Sequence, residues 1–135
     1  MAPVVRVRIS LLRDLMNSAE GLEVTCGGSS MEPVIARGAR VRVVPGEARI
    51  GRVAAFLTER GELELHRLVA PGPSGWWAHL GDNQVDPTPG LVHSSHIVGL
   101  ADVPARRPRA RELARAITRI GRAALTVARR AVQPR

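Results

Sequence analysis

The apolar positions of this chain fall mostly in short alternating runs. Val4, Val5, Val7 and Ile9 alternate in the manner of a strand; Leu11, Leu12, Leu15 and Met16 then take helical spacing and predict a short helix, ended by Gly21. Leu22–Thr25 begins a strand, Arg40–Val44 alternates around Val41 and Val43, and Val53–Leu57 is a compact apolar run. Glu62–Val69 alternates acid and leucine before His66. Pro71-Gly72-Pro73-Ser74-Gly75 is a turn, leading into a strand over Gly75–Leu80. Gly81–Gly90 reads as loop and His96–Val103 as a final strand. Five or six short strands separated by Gly/Pro turns predict a mainly β fold, a small coiled sheet. There is no internal repeat.

The last segment changes period. Over Arg111–Val132 the residues Leu113, Ile117, Ile120, Ala124, Val127 and Ala131 share one helical face, and Arg111, Arg115, Arg119, Arg122, Arg129 and Arg130 take the other. The formal net charge of +8 is concentrated here: residues 105–135 hold ten arginines against Glu112 alone, whereas residues 1–104 hold ten against eleven acids. The sequence therefore predicts a near-neutral body, 1–104, and an arginine-rich amphipathic helical tail, 105–135, divided at the proline-marked Val103–Pro108 stretch. Such a helix can lie on an anionic membrane surface through 111–132, or pack its apolar stripe on the body or on a second copy. Nucleic acid is the less expected partner: arginine suits phosphate, but no groove-reading fold is in view, and only Phe56, Trp76 and Trp77 could stack on bases.

Composition narrows the chemistry. All 20 basic residues are arginine, which excludes a lysine general base or Schiff base. The lone Cys26 excludes an internal disulfide framework and a multi-cysteine zinc site, and reads as a small strand hydrophobe. His93-Ser94-Ser95-His96 has metal-like spacing without a third ligand nearby, so neither metal nor cofactor is expected. No apolar run is long enough to cross a bilayer. Arg6 and Arg8 stand where a secretory leader needs an uncharged stretch, which predicts a cytoplasmic chain, peripheral on the membrane if the tail binds lipid.

Three segments can carry catalysis: Gly27-Gly28-Ser29-Ser30-Met31-Glu32-Pro33, Leu65-His66-Arg67 and Gly81-Asp82-Asn83-Gln84-Val85-Asp86. A serine hydroxyl beside a glycine pair needs a base within reach, and here that base must be histidine or a carboxylate. His66 lies in a β-type run that would hold it rigidly. Met31 and Pro33 suit an apolar plug under the loop and a rigid exit from it. Trp76 and Trp77 should point to opposite faces of their strand.

Ser30-Met31-Glu32-Pro33 followed by Gly38, then Gly51 and Val53, His66-Arg67 and Gly81-Asp82-Asn83 with Asp86 resemble, in order, the boxes of one serine peptidase superfamily. That superfamily unites signal peptidases with self-cleaving repressor peptidases, and the resemblance covers roughly residues 21–103. Most bacterial members use a lysine base, whereas the archaeal and endoplasmic-reticulum type uses histidine in a His-Arg pair, as here. The resemblance implies a small coiled signal-peptidase-like body acting as a serine endopeptidase on a peptide or precursor protein. It makes Ser30 the nucleophile and His66 the base, with Asp86, or alternatively Asp82, as third member. Gly28, Ser29 and Ser30 would form the oxyanion and substrate loop. Signal peptidases often carry a serine where this chain has Gly28, and they are membrane-anchored. Gly28 keeps a second expectation open, a catalytically weak or inactive peptide-binding module of the same fold.

Overall fold

The computed structural model describes residues 1–83 and 88–132, with side chains described as far as residue 126. The first element corrects the alternating reading of the N-terminus. Helix α1 is continuous over Pro3–Ala19 and buries Val5, Ile9 and Met16. The reason is periodicity: with half-buried Leu12, these residues step by four, three and four, one face of a helix, and Pro3 is favourable in its first turn. Val4, Val7, Leu11 and Leu15 lie on the exposed side. Glu20, in the left-handed conformation, ends the helix, and Gly21 N–H returns to the Met16 carbonyl.

Seven strands follow: β1 Leu22–Thr25, β2 Arg40–Val44, β3 Val53–Leu57, β4 Leu63–Pro71, β5 Trp76–Leu80, β6 Gly90–His93 and β7 Ile97–Ala101. They form one sheet in the order β1-β2-β7-β3-β4-β5-β6, and every pairing is antiparallel. The mainly β expectation is met. Strand β6 starts at Gly90, the last residue of the stretch read as loop, and continues through residues 91–93, to which the sequence pattern assigned no element.

Every residue of β3 is buried, because both faces of the sheet are covered there. On one face Val53, Ala55 and Leu57 join Leu65, Val98 and the apolar side of α1. On the other, Ala54 and Phe56 pack with Leu68, Val92, Ile97 and Leu100. Each Val, Leu, Ile or Phe side chain removed from water here contributes ~1.5–3 kcal/mol. Arg13 of α1 adds a tie, donating to the Ile97 carbonyl at 2.7 Å.

The arginine-rich segment is helix α2, Ala110–Val132. It packs against β4 and β5: Ala116 is fully buried with Val69, Ala70, Ala78 and Leu80, flanked by Leu113 and Ile120. Ile117 and Leu125 face outward. No helix among the described residues is long and apolar enough to cross a membrane.

Candidate active site

Strand β1 delivers the serine loop. After Thr25 the chain turns, and Met31 and Ile35 plug into the core at 1% and 2% exposure. Backbone bonds from Glu32 N–H to the Ser29 carbonyl and from Ile35 N–H to the Met31 carbonyl wind the segment tightly. The Glu32-Pro33 peptide bond is cis. Ser30 is left half-buried at the head of the loop. Among the described residues the Ser30 and Met31 amides have no backbone acceptor.

His66 comes from β4, opposite Ala54 of β3. Its Nε2 is 3.2 Å from the Ser30 hydroxyl oxygen, within hydrogen-bond reach of a nucleophile–base pair. Burial pushes the His66 pKa below its usual 6.5, and the nearby charges of Glu64 and Asp82 act against that. The ring is therefore neutral at neutral pH, the state a general base needs.

Alternation along β4 sends Arg67 to the other face, where it is 1% exposed. Its guanidinium makes a two-pronged contact with Asp82, Nε to Oδ1 at 2.9 Å and Nη2 to Oδ2 at 2.8 Å. Its third nitrogen donates to the carbonyls of Gly51 and Pro104. Arg106 also reaches Asp82 Oδ1, at 3.2 Å, and holds Glu112 of α2 with both terminal nitrogens. Burial opposes ionisation of Asp82, but the hydrogen bonds and charges of Arg67 and Arg106 outweigh it and hold the carboxyl below its ordinary range. This carboxylate is thus engaged by two arginines, and a different group meets the far side of the His66 ring.

The residues around Asp82 brace the Ser30 loop. Asn83 N–H donates to the Ser30 carbonyl at 2.8 Å, and its side-chain amide to the Ser29 carbonyl at 3.2 Å. Gly81 lies so close that a Cβ there would stand 2.6 Å from the Ser30 carbonyl oxygen. Only glycine fits this crossing of strand end and loop. Asp86 lies outside the described residues. Gly28 faces open space.

Sequence reasoning passed over His79. It lies on β5 opposite Leu68, two residues beyond His66 on β4, so both imidazoles occupy the same face. Their Nδ1 atoms are 2.9 Å apart. The one available signal was the predicted hairpin of the β4 and β5 runs around a Gly/Pro turn, which puts some β5 residue beside His66 without saying which.

The other singled-out residues stand apart. Cys26 is buried, with its thiol against the Gly28 carbonyl. His93 bonds Ser95 and the Ser74 carbonyl, and His96 bonds the Leu57 carbonyl. No group of described residues could hold a metal ion. Trp76 is exposed, and Trp77 packs against the Phe56 side of the core.

Compared with protein-family models and with curated proteins, the chain matches none.

Proposed function

We propose that this protein is a serine endopeptidase of the signal-peptidase-like type, cutting a peptide or precursor in an extended conformation. The observation that carries the reading is the 3.2 Å approach of the Ser30 hydroxyl to His66 Nε2 in a chain that contains no lysine. In the proposed reaction His66 takes the hydroxyl proton as Ser30 attacks a peptide carbonyl, then returns it to the leaving amine. Backbone N–H groups at Ser30 and Met31 meet the developing oxyanion. Water, activated by the same imidazole, then hydrolyses the acyl-serine. Strand β1 ends the sheet and runs into the serine loop, so an extended peptide added to this edge would be led toward Ser30. Neither step requires a cofactor.

The test is covalent. A serine-directed acylating probe and a peptide-cleavage assay are applied to wild type and Ser30→Ala, with loss of both labelling and cleavage expected in the variant. Equal labelling of the two removes Ser30 from the role. Gly28, which places no hydroxyl beside the oxyanion position, favours a second reading as a peptide-binding module. Peptide binding without turnover, unchanged in Ser30→Ala, would establish that reading instead.

A further inference from the structure

A base that takes a proton at one ring nitrogen must carry its own proton on the other, and something must hold it there. In the usual triad a carboxylate does so. Here both oxygens of Asp82 are bound by Arg67, and the neighbour of the non-reacting nitrogen of His66 is another imidazole. Two ring nitrogens 2.9 Å apart can bond only if one bears hydrogen and the other a lone pair. The lone pair of Nε2 is needed for Ser30, so the hydrogen of neutral His66 belongs on Nδ1.

We infer that His79 is the positioning residue of the base: its Nδ1 accepts from His66 Nδ1–H and fixes the tautomer whose Nε2 faces Ser30. This rests on the peptidase reading above. It assigns His79 the tautomer with hydrogen on Nε2. The ring also lines a cavity of about 160 Å³.

The placement of His79 is built into the sheet. Its partner on β6 is Gly90, and a Cβ at that position would approach His79 Cε1 to 2.4 Å and Nε2 to 2.6 Å. Phe56 supports the ring from β3, with centroids 4.8 Å apart. Burial, with the neighbouring His66 adding to it, lowers the His79 pKa to about 3, so the acceptor lone pair is present at neutral pH. When His66 becomes an imidazolium its Nδ1–H still donates to His79, and no proton passes between the rings. A neutral acceptor stabilises that cation less than a carboxylate does.

Two variants and one spectrum test the assignment. His79→Asn keeps an acceptor oxygen near the position of Nδ1; His79→Leu keeps the bulk without one. Mis-set tautomers cost up to about 10⁴ in kcat elsewhere, so His79→Leu should lose ~10²–10⁴ in kcat with little change in KM, and His79→Asn should recover most of the loss. Nitrogen-15 imidazole spectra of the wild type at neutral pH should show His66 protonated on Nδ1 and His79 on Nε2. An unprotonated His66 Nδ1, or full kcat in His79→Leu, overturns the assignment. The spectrum needs no turnover and no variant that must fold. If Ser30→Ala retained cleavage the peptidase reading would fail by itself, and the spectrum would still report on the paired imidazoles.

Discussion

At the scale of single residues, the site is governed by the desolvation of two imidazoles. In the proposed reaction the neutral form of His66 is the base, and burial moves its titration below 6.5. The acid limb of kcat/KM should therefore lie below pH 6.5, as a pH–rate profile would show; a limb at higher pH would mean that Glu64 and Asp82 dominate instead. For His79 the consequence is stability. Its folded pKa of about 3 lies under the unfolded value of 6.5, so in that interval the unfolded chain binds more protons. The full stabilisation is present above pH 6.5 and drains away as pH falls toward 3, by up to about 5 kcal/mol at 1.36 kcal/mol per unit. Denaturant titrations over this range should show a steeper acid loss in wild type than in His79→Asn; equal slopes would refute the account. Ser30 and His66 were legible because each sits in a short motif with its own neighbours. His79 was not, because its neighbour is supplied by strand register rather than by adjacent sequence.

At the scale of elements, the His-Arg pair works through strand alternation. One residue faces Ser30 and the next anchors the turn that braces its loop. Asp82→Asn would leave the buried Arg67 without its carboxylate, and losing one partner of a buried pair costs ~3–5 kcal/mol. A thermal or denaturant melt should register that loss, together with reduced turnover as Asn83 releases the Ser29 and Ser30 carbonyls. A variant with wild-type stability would show that the Arg67–Asp82 contact is not structural. The strands from β1 to β5 could be read from alternation and turn residues. Helix α1 could not, because Val5, Val7 and Ile9 satisfy a two-residue period as readily as Val5 and Ile9 satisfy a helical one. Tertiary burial of Val5, Ile9 and Met16 decides between them. Strand β6 escaped because four residues after a proline carry too little pattern.

At the scale of the whole molecule, the sequence divides the chain by charge but the packing does not. Half the arginines lie beyond residue 104, yet α2 buries Ala116 on the sheet, with Leu113 and Ile120 half-buried beside it. Among the described side chains of α2 this leaves Ile117 and Leu125 as large apolar residues facing outward, where the anionic lipid surface expected from the sequence would meet the helix. Flotation with anionic vesicles should be strong for the wild type and weak for the double variant Ile117→Asp, Leu125→Asp. Equal flotation of the two removes these positions from lipid binding, and flotation of neither removes lipid as a partner.

Point variants suit that experiment better than deletion of the tail, because Arg106 clasps Asp82 with one arm while gripping Glu112 of α2. Whatever lifts the helix off β4 and β5 strains this clasp, and with it the carboxylate behind the Ser30 loop. The seating of α2 and the Asp82 contacts behind the Ser30 loop therefore share one side chain, Arg106. Under the proposed peptidase reaction, a binding partner that captures α2 would slow hydrolysis without ever entering the cleft.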